Sequence, residues 1–540
     1  MAWSIRKHLS YANVVATLAL VFAMGGSAIA AKHYLITSTA QISPKVLKKL
    51  HGEQGPRGVP GPEGKPGVAG KQGKEGGFAG LSVSEQQTLL AMLPHLSFSA
   101  SGVGGVPTVR FSGINVQIVS GLGETNKANG AGNLLIGYDE NPGLQSGSNN
   151  LVLGAEQSYS SWGAIVTGKR NTAAGPYSVL FGFENSAEGT EDTITGGASN
   201  TATGFQSSVS GGLEGRAEGS QASVGGGESN TASGEAASVA GGGGNLASGA
   251  RAAVGGGHAG TASGTGSSIS GGSEGVAAGV RAAVSGGEQG EAKGEYSSVS
   301  GGRQNKAEGE SAAVGGGKAN NAKGSEASVG GGEGNTASGQ GAAVAGGEVN
   351  VASGERASIG GGIANTASGG RSSVSGGHVN TASGAGASVS GGAENTASGV
   401  RSSVSGGEKN EAKDNESAIS GGVLNVASGL VSWIGGGLGD TAHGVDSTAV
   451  GGSLNEASGE DATSLGGNEN KAAGAGAVAV GGASNDAIGV QAAVVGGEEN
   501  AAHAEYSAIF GGGVNSATGK FATILGGLLN VESNEYGRSD

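Results

Sequence analysis

The sequence predicts an all-β protein, a parallel β-solenoid of 15-residue coils preceded by a run of glycine triplets. Three observations predict it. Glycine supplies 117 of the 540 residues, about three times its usual share of roughly 7%. Residues 196–540 divide into 23 consecutive 15-residue units, and such a fixed period is the signature of a repeat architecture. Residues 52–78 carry glycine at every third position.

Composition narrows the function. Aromatic residues make up 4% of the chain and charged residues 14%, too few bulky side chains for several large cores. The chain has no cysteine, so disulfides, thiolate metal sites and thiol nucleophiles are excluded together. Residues 1–51 hold six Lys/Arg and no Asp/Glu, which leaves the rest with a net charge of −20. So acidic a body argues against nucleic acid as partner.

Residues 1–31 read as a signal peptide or membrane anchor. Arg6 and Lys7 precede an apolar run from Ala12 to Met24, and Ala28 and Ala30 form the small-x-small pattern of a cleavage region. The stretch Ala12–Ala31 is also just long enough to span a bilayer if uncleaved. Either way, the chain beyond Ala31 is expected outside the cytoplasm, extracellular or at the cell surface. Contact with membrane is expected only through this segment, if it is retained.

Residues 32–51 form a basic linker. The triplet run occupies 52–80, with Gly52, Gly55, Gly58, Gly61, Gly64, Gly67, Gly70, Gly73 and Gly76 in phase. Only glycine fits at the axis where three polyproline-like chains meet. The segment resembles bacterial collagen-like regions, and a triple-helical stalk implies three chains. A connector spans 81–132. There Ser82 and Glu85 suit a capping box, Pro94 should end the helix near Leu93, and Thr108–Ser120 alternates as a strand, with a phase switch at Gly113. Irregular coils occupy 133–195, where the glycines Gly137, Gly154 and Gly168 already carry the beat.

Each place in the regular unit has a physical demand. Place 2 is glycine in all 23 units, from Gly197 through Gly377 to Gly527; place 9 is glycine, as at Gly204 and Gly384, except at Asp414, Ala504 and Asn534. Place 5 is Asn in 18 units, as at Asn200 and Asn380, and Asn tolerates left-handed turn geometry. Place 7 is Ala in 22 units, as at Ala202 and Ala382, and place 14 is mostly Val or Ile, as at Val209 and Val389. All nine prolines precede residue 196, as uninterrupted ladders require. The pattern gives two strands per unit, over places 4–8 and 11–15, with places 7, 12 and 14 inside. Stacked at about 4.8 Å, the 23 units reach roughly 110 Å. One Val and two small residues per coil make a thin core, so further burial is expected between chains. From 436 onward place 15 becomes Val450, Leu465, Val480, Val495, Phe510 and Leu525, consistent with a second buried surface.

The units, such as GGHVNTASGAGASVS at 376–390, resemble the head repeats of trimeric autotransporter adhesins (YadA-like heads). The likeness covers about residues 133–530. It rests on the turn glycines, the inner Ala at place 7 and the small-small-Val/Ile strand before the glycine pair. The unit is 15 residues rather than about 14, and no C-terminal membrane-anchor barrel is read in the sequence. The resemblance implies a parallel β-roll, three rolls around an axis and a role in attachment. The expected partners are two further copies of the chain and a surface, matrix or cell-envelope ligand of unknown identity.

No catalytic residue, cofactor or metal is expected. Gly271-Gly272-Ser273-Glu274-Gly275 matches a nucleophile-elbow string but lies at a repeat turn. His443, Asp446 and Ser447 are close in sequence but occupy turn or outward places. Gly436–Asp440 matches a calcium-roll string only once. The row of Thr at place 6 and Ser at place 8, as at Thr366/Ser368 and Thr381/Ser383, offers a hydroxyl surface for ice-like water or another ligand. Arg216, Glu291, Lys306 and Glu411 interrupt it.

The period itself is testable. Deleting 301–315 should keep every Ala and Val column in phase, cost about one coil interface and preserve a cooperative melt. Deleting only 301–307 should set inward residues against outward ones and abolish that melt. Equal tolerance in thermal circular dichroism would refute the coil assignment.

Overall fold

The structure is a computed structural model that describes residues 43–47, 49, 59, 80–138, 140 and 144–540. The leader with Ala28 and Ala30, and the triplet glycines Gly52–Gly76, lie outside the described residues. The chain divides into two units, Met1–Ile114 and Asn115–Asp540. The division falls inside the 81–132 connector.

In the first unit the capping box forms as the residues dictate. Ser82 N donates to Glu85 Oε2 at 2.7 Å and Ser82 Oγ accepts from Glu85 N at 3.4 Å, starting the helix Val83–Met92. Pro94 lies in a 3₁₀ turn, Leu93–His95. The strand Leu96–Ser99 then pairs antiparallel with Thr108–Phe111. The expected strand to Ser120 stops at Phe111, because Gly113 takes φ +71° and turns the chain out of the extended region.

The second unit is the solenoid. Every regular coil contributes two strands, at places 6–7 (Thr201–Ala202) and 13–14 (Ser208–Val209). Each pairs in parallel with its counterpart one coil on, so Thr201 stands beside Arg216 and Ser208 beside Ser223. The result is two facing parallel ladders, a Thr/Ala sheet and a Ser/Val sheet. Their inner faces stack into a buried column. Ala202, Val209, Ala217 and Val224 are all at most 1% exposed. Places 7, 12 and 14 are buried, as the alternation predicts.

The strands are shorter than expected, two residues rather than five. The reason is a backbone reversal at places 4 and 11. Ser199 and Gln206 have φ of 56° and 57°, and the same left-handed geometry recurs coil after coil, even at Val349 and Val431. A non-glycine residue there costs about 1–2 kcal/mol. The compensation is a hydrogen bond. Most amides donate forward to the next coil, as Thr201 N to Gly215 O and Ser208 N to Ala222 O, whereas Glu214 N and Gln221 N donate backward to Ala198 O and Phe205 O. The left-handed residues aim their N–H groups at the preceding coil and so close each corner.

Asparagine at place 5 is therefore not the left-handed residue, which corrects the sequence expectation. Asn200 and Asn380 are fully buried. Asn380 Oδ1 accepts from Asn395 N at 3.0 Å, while its Nδ2 donates to Gly376 O and Gly392 O, both at 2.9 Å. One amide thus ties its own turn to the next coil through both its donor and its acceptor. Repeated along the array, these contacts make an internal amide ladder, interrupted where place 5 is Gly215, Gly260, Gly275 or Gly290.

The two glycine places answer different demands. Gly197 has φ +82°, which favours glycine. Place 9 lacks that geometry and is instead a site of close approach. A Cβ on Gly384 would fall 1.9 Å from the Gly399 carbonyl oxygen.

The irregular coils explain the 15-residue period. Ile165 pairs with Val179 and Val179 with Thr193, steps of 14, whereas Thr193 pairs with Ser208, a step of 15. The 14-residue coils lack the place-1 glycine. Their strands run unbroken for five residues, Ile165–Lys169 and Val179–Phe183. The regular unit is the shorter coil with one glycine inserted after the Ser/Val strand.

Two substitutions separate these roles. Gly384→Ala should lower stability by about 1–3 kcal/mol through overpacking. Gly391→Ala, at place 1 with no atom within 4 Å of the new methyl, should change it by less than about 0.5 kcal/mol. Urea unfolding followed by circular dichroism reads the difference, and equal effects would contradict the close-approach account.

Candidate interaction faces

The solenoid presents two broad outer surfaces, and alternation along each short strand decides which residues they carry. On the Thr/Ala sheet, places 6 and 8 point outward. On the Ser/Val sheet, places 13 and 15 do. In the first 22 units, places 6 and 8 hold twelve Lys, Arg, Asp or Glu residues, whereas places 13 and 15 hold none from Ser208 to Leu525. The charge on the Thr/Ala face is locally paired. Glu291 binds Lys293 and, at 3.2 Å, Lys306, and the Lys293 ammonium beside it holds its carboxyl below the ordinary value.

The two faces differ in relief as well. A groove of about 600 Å³ on the Thr/Ala side is walled by Glu274, Gln289 and Gln304 and floored by Val276, Glu291 and Lys306. Its wall is ordered by amide contacts between coils, Gln304 Nε2 donating to Gln289 Oε1 at 3.0 Å and Gln289 Nε2 to Glu274 Oε2 at 2.8 Å. The groove on the Ser/Val side, about 640 Å³, is lined by small residues such as Gly315, Ser328, Gly330, Ala343 and Ala345. Toward the C-terminus that face becomes bulky. Trp433, Leu465, Val495, Phe510 and Leu525 are 38–53% exposed.

The motifs singled out in the sequence are not assembled into a reactive site. Ser273 pairs along the backbone with its coil neighbours His258 and Glu288, but its hydroxyl donates to neither. His443 Nδ1 is hydrogen-bonded to Ser428 Oγ of the preceding coil. Asp446 sits at the left-handed outward corner, and Ser447 is buried. The three side chains point to different sides of the coil. The hydroxyl row does form, with Thr366, Thr381 and Thr396 in register, and it ends at Glu411. Asp440, read in a calcium-like string, is buried inside the amide ladder. Among the described residues no three His, Asp or Glu side chains gather as a metal-binding group, and no helix is long and apolar enough to cross a membrane.

The charge-free face escaped the sequence reading, which tracked the polar hydroxyl row. A count of charges by place would have revealed it. No protein-family model matches the chain, and no curated protein is significantly similar to it.

Proposed function

We propose that this chain forms the arm of a fibrous homotrimer displayed outside the cell, with a collagen-like stalk holding out a long β-roll head that mediates attachment. The observation that carries the reading is the Ser/Val face. Forty-four consecutive outward places without a charge, on a protein whose other face is regularly charged, suit a surface that another protein covers. Small residues there permit close approach of a second backbone. The glycine triplets supply the number three, because a collagen-type triple helix takes three chains. The likeness of the repeats to trimeric autotransporter adhesin heads supports the same assembly. The apolar leader supports export. The Thr/Ala face, with its hydroxyl row and ion pairs, is then the outer surface that meets solvent and ligand. Catalysis has no place in this reading.

Light scattering on residues 32–540 should give three times the chain mass, and a folded monomer would sink the proposal. The faces are separated by lysine substitution. Ser373→Lys with Ser388→Lys should break head-to-head packing and lower the melting temperature, while Thr366→Lys with Thr381→Lys should leave both unchanged. Binding of the trimer to glycan and matrix-protein arrays then tests attachment, and a trimer that adheres to no surface would reduce the role to that of a spacer.

A further inference from the structure

One rung of the amide ladder is an acid. Asp440 takes the place of asparagine and is 0% exposed. Its backbone N–H donates to Asn425 Oδ1 at 2.8 Å, and its Oδ1 accepts from Asn455 N at 2.8 Å and Asn455 Nδ2 at 3.1 Å. These are the ladder's normal contacts. The other oxygen is the anomaly. Asn455, one rung on, uses Nδ2 to donate to Gly451 O and Gly467 O, and Asp440 has no such donor when ionised. Its Oδ2 is buried without a hydrogen-bond partner. It lies against the Gly437 backbone, where an added Cβ would be 1.9 Å from Oδ2 and 2.9 Å from the Gly452 carbonyl oxygen.

The backbone around this rung departs from the repeat. Gly436 and Gly437 take φ of +142° and +116°, and Gly436 O accepts from Gly451 N at 3.0 Å. The inner column also breaks here, between Ala449 and Ala457. Asp192, the other buried aspartate of the coil interior, differs. Gly189 N donates to its Oδ2, and Ser207 N and Oγ donate to its Oδ1, so both oxygens are supplied with donors.

We propose that Asp440 is a proton-operated rung. When its carboxyl is protonated, Oδ2–H donates to Gly452 O and ties coil 436–450 to coil 451–465. When it releases the proton to solvent, a buried carboxylate faces a carbonyl oxygen and the joint loosens. The last six coils then form a segment whose attachment depends on pH. No charged side chain competes for control. His443 and Glu456 lie on the outer side of the Thr/Ala sheet and Asp446 at an outward corner, while Asn425, Asn455 and the glycine turns enclose the carboxyl. Burial pushes the Asp440 carboxyl up, against the Asn455 hydrogen bonds that pull it down. This direction fixes the sign of the pH effect. A folded-state value above the unfolded one, about 3.9, gives stability that is complete below the unfolded value. That stability is lost as pH rises through the folded value.

Hydrogen exchange of the full chain tests this, comparing wild type with Asp440→Asn at pH 3 and pH 8. At pH 8, peptides covering 436–455 should exchange several-fold faster in wild type. At pH 3, below the unfolded carboxyl value of about 3.9, the two proteins should agree within about twofold. A second variant, Asn380→Asp, should install the same pH contrast over 376–395. A wild-type to Asp440→Asn ratio that does not change with pH, or an Asn380→Asp rung indifferent to pH, overturns the proposal.

Discussion

The asparagine at place 5, present in 18 of the 23 units, is the interaction that ties most coils of the solenoid to their neighbours. A parallel stack of two-residue strands has few ladder hydrogen bonds per coil, and the corners between strands leave backbone groups that water cannot reach. Each buried polar group without a partner costs about 1–3 kcal/mol. A primary amide is the side chain that supplies a donor pair and an acceptor at one point. Asn380 satisfies Asn395 N ahead of it and the carbonyls of Gly376 and Gly392 at once. Its short stem fixes the distance, so the turn glycines must approach closely. A Cβ on Gly377 would fall 2.4 Å from Asn380 Nδ2. The amide is thus one further reason for glycine at place 2, beside its φ and the carbonyl oxygen of Gly392, which a Cβ on Gly377 would meet at 2.2 Å.

This arrangement lets a thin column stand in for a core. The inner residues per coil are an alanine, an alanine or serine and a valine or isoleucine, and each coil touches only its neighbours. Specificity then comes from register rather than from shape. Because Asn, Ala and Val each stack on their like one coil on, a slip of one residue sets every inward side chain outward. The inserted place-1 glycine fits the same logic. In the 14-residue coils a continuous strand, Val179–Phe183, carries the chain past the corner. The extra residue of the longer coils stops the Ser/Val strand at Val209, and the glycine pair makes the corner.

Much of this was legible in the sequence, and the exceptions have physical causes. Period, strand count and inner places can be read from glycine spacing and from the alternation of Ala202 and Val209 with polar neighbours. The capping box at Ser82 was legible because it is local. The left-handed corners were not, since residues as different as Ser199, Arg251 and Val431 occupy them. Their geometry is imposed by the hydrogen bond back to the preceding coil, a tertiary constraint that leaves no mark in residue type. Asparagine drew attention as a turn former, and its burial could not be seen from preference alone. The faces of the candidate interaction surfaces were legible in principle, because place 13 and place 15 can be read for charge without any structure.

The C-terminal coils show how inner and outer packing trade against each other. At place 14, Val and Ile give way to Ala449, Ser464 and Ala479, all fully buried. At place 15 of the same coils, Val450, Leu465 and Val480 replace small residues, and the Ser/Val strand lengthens to three residues, as in Thr448–Val450. Apolar bulk has moved across the sheet from the column to the outer face. For an isolated coil this exchange is unfavourable, because burial of a valine or leucine contributes about 1.5–3 kcal/mol and exposure forfeits it. Such a shift is favourable where the outer face is itself covered. In the proposed trimer it would be covered, and the coils with the weakest inner column would then gain contact between chains. The joint at Asp440 lies where this exchange begins, and Val494, Ile509 and Ile524 restore the column further on.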